Sequence, residues 1–254
     1  MPSPDRRTVV VTVIAVAFAV YYILSQGWGQ TLAISSDILF VLVSGCTALI
    51  SYLSATKVGF KGRFAWAGWG LFLGIFLWFL GELVWTIYEV AWQIPIPYPS
   101  FADIFYLAGY APIVIAIVGF LYSFKGALIR TRVAMAAITG LCIVALIIAV
   151  LLYPLSVTSE DPLTKFFDMA YPTLDAGVLF LAVMMFFLHG SGTLGKGWEW
   201  ISIGMLLTTA ADLLFSLGTM QGWYYSGHPV ELFYLWGYLA MGLGLDTQRK
   251  AFQP

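Results

Sequence analysis

The stretch Trp66-Ala-Gly-Trp-Gly-Leu-Phe-Leu-Gly-Ile-Phe-Leu-Trp-Phe-Leu-Gly-Glu-Leu-Val-Trp-Thr-Ile-Tyr-Glu-Val-Ala-Trp92 decides the architecture. It carries no charge before Glu82 and matches the run of about 20 apolar residues that crosses the ~30 Å hydrocarbon core of a bilayer as a helix. Comparable runs recur at about 8–26, 34–55, 66–92, 101–123, 132–153, 168–189, 198–220 and 229–247. Hydrophobic residues make up 61% of the chain and charged residues 10%, which excludes a soluble globular protein. The expected fold is an all-α integral membrane protein of eight transmembrane helices. Connections are short, so residues 1–254 read as a single bundle. The third run is long enough to tilt or to pass the interface.

Orientation follows from the cations. Arg6, Arg7, Lys57, Lys61, Arg63, Lys125, Arg130, Arg132, Lys196, Arg249 and Lys250 flank one side of the eight runs, and Lys165 alone flanks the other. That bias places both termini in the cytoplasm. The expected location is the cell membrane, multi-pass, as in a prokaryotic plasma membrane, with the lipid bilayer as first partner. Residues 1–26 have the charge and apolar run of a signal peptide but no small-x-small cleavage site, and read as a retained helix. A net charge of −1 gives no case for nucleic acid. Cys46 and Cys142 fall inside helices 2 and 5 without a CxxC motif, and read as buried reduced thiols.

Within this frame eight carboxylates stand out: Asp37, Glu82, Glu89, Asp103, Asp168, Asp175, Asp212 and Glu231 lie in or at the mouth of the apolar runs. An ionised side chain in hydrocarbon costs several kcal/mol, so such acids face a protein interior or a wet cavity. Threading the topology puts all eight on the exterior side. Asp103 follows Ser100 in a capping box, and Glu231 follows Pro229 in a first turn, where an acid complements the helix dipole. Asp37 and Asp175 also read as near helix starts. Capping does not account for Glu82 or Asp212, well inside outward-running helices. Glu89 lies seven residues beyond Glu82, two turns on the same face, with Trp85 and Thr86 between them and Gln93 one turn further out.

The chain also reads as a duplication. Asp103-Ile-Phe-Tyr-Leu-Ala-Gly-Tyr110 matches Glu231-Leu-Phe-Tyr-Leu-Trp-Gly-Tyr238 in register. Upstream, Gly81-Glu-Leu-Val-Trp-Thr86 parallels Ala211-Asp-Leu-Leu-Phe-Ser216, and Asp37 loosely matches Asp175. The expected halves are about 1–126 and about 127–254, four helices each in one orientation, hence a parallel repeat.

Several chemical motifs fail on inspection. Gly190-Ser-Gly-Thr-Leu-Gly195-Lys196 satisfies GxGxxG but has Gly197 where a P-loop needs Ser or Thr, and no strand precedes it. All six lysines lie outside the spans, which removes a retinal Schiff base. His189 and His228 fall on opposite sides, so they cannot share a haem; His228, beside Glu231, could only join a metal site. No Ser-His-Asp or HExxH grouping marks an enzyme.

The segment Phe79-Leu-Gly-Glu-Leu-Val-Trp-Thr-Ile-Tyr-Glu89, followed by Pro97-Tyr-Pro-Ser-Phe-Ala-Asp-Ile-Phe-Tyr-Leu-Ala-Gly-Tyr110, resembles the multi-helix N-terminal membrane domains of archaeal and bacterial sensor histidine kinases and diguanylate cyclase/phosphodiesterase proteins. The resemblance implies a sensory or input module. Here it would stand alone, since no kinase, GGDEF or PAS domain follows helix 8, and it would work with a signalling or membrane protein partner. The expected site is an exterior acidic and aromatic pocket for a cation or small ligand. Glu82 and Asp212 form its centre, with Glu89, Asp103, Glu231 and Trp85 around them. A divalent cation is the cofactor that Glu82 and Asp212 would hold through oxygen ligands. An organic cation would stack on the aromatics. The alternatives are a cation- or proton-coupled transporter, against which the apolar inner half counts, and an intramembrane lipid hydrolase of lysoplasmalogenase-like architecture.

Overall fold

In the computed structural model, residues 5–62, 64–94, 96–123, 129–158, 161–189 and 192–252 are described. Arg63, Lys125, Gly190 and Ser191, named above from the sequence, lie outside them. The described chain is all-helical: α1 (Arg6–Leu24), α2 (Gln30–Val58), α3 (Ala65–Thr86), α4 (Phe101–Ser123), α5 (Arg130–Ile147), α6 (Pro162–Leu188), α7 (Gly192–Gln221) and α8 (Glu231–Ala251). Two helices run on through a widened π-helical turn, α3 over Ile87–Ala91 and α5 over Ile148–Leu152, and α5 adds a last turn, Tyr153–Ser156.

Among the described residues, seven helices are long and apolar enough to cross a membrane, as in a multi-pass helical membrane protein. The eighth, α8, is long enough but too polar to qualify. It packs against α1, α2 and α7, and twelve of its residues are buried. A helix wrapped by protein needs little lipid-compatible surface. By contrast Tyr22 is the one fully buried residue of α1, with Phe18, Ala19 and Tyr21 partly buried against the core, and more than half of the helix is exposed.

The Arg7 guanidinium meets Asp246 at 2.9 Å, so the start of α1 and the end of α8 share one end of the bundle, here the basic end. The acids collect at the other. The most extensive pairings are α3 with α4 and α7 with α8; α2 lies on α3 and α8, and α6 on α4, α5 and α7. Glycines set the two closest approaches. A Cβ at Gly74 would stand 2.5 Å from Ile113 Cγ1, and one at Gly204 would stand 2.7 Å from the Gly237 carbonyl. In lipid no hydrophobic force drives helices together, so close van der Waals contact across small residues takes that role.

Two sequence readings are corrected by this packing. Cys46 and Cys142 are free thiols as expected, but both are exposed on the outer surface rather than buried. Past its first turn α5 has no polar stripe, so its pattern carries no sign of which face turns inward; in α2 the inner face carries Ser44, Thr47, Ser51 and Ser54, and Cys46 lies off it. Gln93 is not one more turn along the α3 stripe: the helix has ended, and Gln93 is exposed with φ +54°.

Candidate functional site

The Asp103-x-x-Tyr106-x-x-x-Tyr110 spacing and its counterpart Glu231-x-x-Tyr234-x-x-x-Tyr238 put an acid and two phenols on one helix face, at i, i+3 and i+7. The four phenols all end on carboxylates. Tyr106 and Tyr238 donate to Glu82 at 3.0 and 3.1 Å, one to each oxygen. Tyr234 donates to Asp212 at 2.7 Å, and Tyr110 to Asp175 at 2.6 Å.

At the mouth, Glu231 opens α8 and is 4% exposed. Its Oε1 accepts from the Gly227 N–H and from Tyr224, both at 2.8 Å; its Oε2 accepts from Tyr22 at 3.0 Å and from Ser36. Tyr22 and Ser36 also bond to each other. This one carboxylate joins α1, α2, α8 and the loop before α8. Gly227 reaches it at φ +88°, a left-handed conformation that also brings the backbone hard against Leu32. Asp103 keeps its expected capping role: its Oδ2 accepts from the Ser100 N–H at 2.6 Å and from the Ser100 hydroxyl at 3.0 Å. Its second oxygen takes Tyr171 from α6 at 2.6 Å.

Asp37 and Asp175 are not caps. α2 starts at Gln30 and α6 at Pro162, so Asp37 lies two turns inside its helix and Asp175 more than three. The N-cap of α6 is Asp161, whose side chain accepts from the Leu163 and Thr164 N–H groups at 3.0 and 3.1 Å. Those bonds hold its carboxyl below the usual range. Asp168, read as the opening of helix 6, sits a turn and a half in and takes the Tyr98 phenol at 2.7 Å.

Both misread acids are almost fully enclosed, Asp175 at 1% exposure and Asp37 at 5%. Each faces another carboxyl: Asp37 meets Glu89, and Asp175 meets Asp212. Asp37 Oδ2, Glu89 Oε2 and Asp175 Oδ2 have no donor. The second oxygen of Glu89, in the π-turn that ends α3, takes Ser226 at 3.1 Å.

Of the expected site residues, the structure thus gathers Glu82, Glu89, Asp103, Asp212 and Glu231 at one end of the bundle. Trp85 is half-buried with its ring edge-on to Phe215, centroids 6.4 Å apart. The partners that bond Glu82 and those that bond Asp212 are different side chains. Among the described residues no group of three or more His, Cys, Asp and Glu is arranged to hold a metal ion. The divalent-cation reading of Glu82 with Asp212 therefore has no preformed ligand set, since Ca²⁺ takes six to eight oxygens.

His228 serves its own loop rather than a metal: its Nδ1 accepts from the Val230 N–H at 3.1 Å, and its ring packs on Trp223 and Tyr225. Burial lowers its pKa. With the folded value below the unfolded one, its contribution to stability is present above the ordinary histidine range and lost as pH falls through it. Lys165 donates to the Ser156 and Thr158 carbonyls at 2.7 and 2.9 Å.

The deeper half of the bundle is less apolar than the sequence suggested. Ser44, Thr47, Ser51 and Ser54 of α2 and Gln248 of α8 are buried there. Ser44 and Thr47 return their hydroxyls to carbonyls four residues back, at 2.6 and 2.8 Å, as such residues commonly do in helices. Comparison with protein-family models, curated proteins and solved structures gives no match to this chain.

Proposed function

We propose that this protein is a membrane sensor or input module that responds to cations, protons included, at its acidic end, and that this end faces the exterior. One observation carries the reading. Asp37, Glu82, Glu89, Asp103, Asp175, Asp212 and Glu231 meet there from six helices, and their hydrogen-bond partners among the described residues are hydroxyls, main-chain amides and other carboxyls, with no Lys, Arg or His. Two unit charges about 5 Å apart repel by about 3 kcal/mol at an effective dielectric constant of about 20. A fully ionised cluster would accumulate several such repulsions, and uptake of cations relieves them. The phenol and hydroxyl bonds tie α1, α2, α4, α6 and α8 to these acids, so a change of charge bears on how the helices pack. The resemblance to sensor membrane domains points the same way.

Internal duplication is part of the proposal. Tyr106 bonds Glu82 as Tyr234 bonds Asp212; α3 meets α4 through glycines as α7 meets α8; α4 lies on α6 as α8 lies on α2. These parallels support it.

The test is a titration of the full chain in nanodiscs, followed by tryptophan fluorescence and thermal unfolding. Moving from mildly alkaline to mildly acidic pH, or adding Na⁺, Mg²⁺, Ca²⁺ or an organic ammonium ion, should raise the unfolding midpoint in wild type, because a ligand of the folded state stabilises it. Glu82→Gln with Asp212→Asn should lose most of that response. A wild-type protein indifferent to all of these additions would refute the reading.

Transport is the second reading, favoured by the buried polar side chains below the acids. Among the described residues Ser51 Oγ and Gln248 Nε2 have no hydrogen-bond partner, as would suit groups lining a path. Cation or proton flux in proteoliposomes separates a carrier from a sensor.

A further inference from the structure

We infer that Asp175 of α6 and Asp212 of α7 form a proton-binding site, a carboxyl dyad that holds one proton between its two side chains. The inference rests on reading the acidic end as cation-responsive, and it names the ion and the atoms. Asp175 is 1% exposed; its Oδ1 accepts the Tyr110 phenol at 2.6 Å, and among the described residues its Oδ2 has no donor. Asp212 Oδ1 accepts the Tyr234 phenol at 2.7 Å. Each carboxyl is thus held by a phenol from another helix, and the two carboxyls lie within hydrogen-bonding reach of each other. The phenols cannot fill the gap, because each O–H is already committed. Two ionised carboxylates in contact repel, whereas a single proton between them converts the contact into a charge-assisted hydrogen bond.

Among the described residues the titratable groups around the pair are phenols and one further acid. Tyr171 lies on α6 itself, Tyr234 and Tyr238 come from α8, Tyr110 from α4, and Glu82 from α3. Packed along α6, α5 carries Arg130 and Arg132 in its first turn and Cys142 on its outer surface. The Asp37–Glu89 contact is the weaker candidate, since Glu89 sits in the π-turn beside the mouth and also takes Ser226.

Infrared spectroscopy of the full chain in nanodiscs, in H₂O and D₂O at neutral pH, tests the dyad. The expected result is a carbonyl stretch of a protonated carboxylic acid that shifts down in D₂O and moves when aspartate is ¹³C-labelled. That band should be lost from Asp175→Asn and from Asp212→Asn, and displaced in Tyr110→Phe, which removes one phenol and keeps both acids. Absence of a label-sensitive acid band from wild type overturns the dyad without a variant having to fold. A metal cation in place of the proton gives that same negative spectrum. A band unchanged in Tyr110→Phe and Tyr234→Phe belongs to another aspartate and also overturns it. A dyad that fails in a protein still responsive to pH or cations leaves the sensor reading standing, and an unresponsive protein with an intact band separates the two in the other direction.

Discussion

Gly244→Ala should lower the thermal unfolding midpoint of the protein in nanodiscs sharply, while Gly177→Ala should raise it slightly. A Cβ on Gly244 would lie 2.5 Å from the Gly197 carbonyl oxygen, 2.8 Å from Ile201 Cγ1 and 2.9 Å from the Ile201 nitrogen. Two of those three atoms are backbone of α7, which cannot rotate out of the way, so α7 and α8 must part along their contact. Adding a methyl to a well-packed core costs about 1–3 kcal/mol. Here the cost should reach the upper part of that range, because contact is what holds membrane helices together. Gly204→Ala probes the same seam from α7, with Met241 Cγ 2.4 Å and the Gly237 carbonyl 2.7 Å from the new carbon. Gly177 supplies the control: it is mid-helix and exposed, and nothing lies within 4 Å of its Cβ position. There alanine restores helix propensity, about 0.5–1 kcal/mol. Equal midpoints for Gly244→Ala and Gly177→Ala would mean that α7 and α8 do not pack through glycine.

How far the sequence reveals this molecule depends on which physical signal is in question. Apolar run length located the helices, because crossing hydrocarbon demands it of every span. It misplaced the start of α6 by six residues, since the opening turns Pro162 to Phe167 include Thr164 and Lys165. That error made Asp175 look like a cap when it lies deep in the bundle. The low apolarity of α8 has the converse cause: enclosure by other helices relaxes the need for lipid-facing side chains. Facing was legible only in part. Past its first turn α5 is apolar all round, and no periodicity there distinguishes inside from outside; in α2 the spacing of Ser44, Thr47, Ser51 and Ser54 marks the inner face and leaves Cys46 outside it.

Glu82 and Asp212 were identifiable because a carboxylate in mid-span has no bland explanation. Their phenol partners, Tyr106 and Tyr238 for Glu82 and Tyr234 for Asp212, belong to the repeated acid-x-x-Tyr-x-x-x-Tyr spacing that the sequence displays. The carboxyl-to-carboxyl contacts were not legible in it. They depend on the crossing of α2 with α3 and of α6 with α7, and on a π-turn around Glu89 that no local composition marks.

Glu231→Ala should destabilise the protein by about 4 kcal/mol or more, and Glu231→Gln by only about 1 kcal/mol. Four groups point at this carboxylate: the Gly227 N–H and the hydroxyls of Tyr224, Tyr22 and Ser36. Removing the acceptor orphans all four in a site where Glu231 itself is 4% exposed. Each buried unsatisfied donor costs about 1–3 kcal/mol, less whatever water or rotation recovers. Hydroxyls can turn; the Gly227 amide is fixed by its φ of +88° and cannot. Glutamine keeps an oxygen for that amide and for Tyr224. Its NH₂ can donate to the Tyr22 and Ser36 oxygens once those hydroxyls rotate, so the shape survives while a charge is lost. The pair of variants therefore separates scaffold from sensor. With four donors already satisfying it, Glu231 has the least need of a cation, so Glu231→Gln should unfold a few degrees lower yet keep the pH and cation response of wild type. Glu82→Gln with Asp212→Asn should do the reverse. A response abolished by Glu231→Gln, in a protein still folded by circular dichroism, would move the sensing centre from the α3 and α7 acids to the mouth of the bundle.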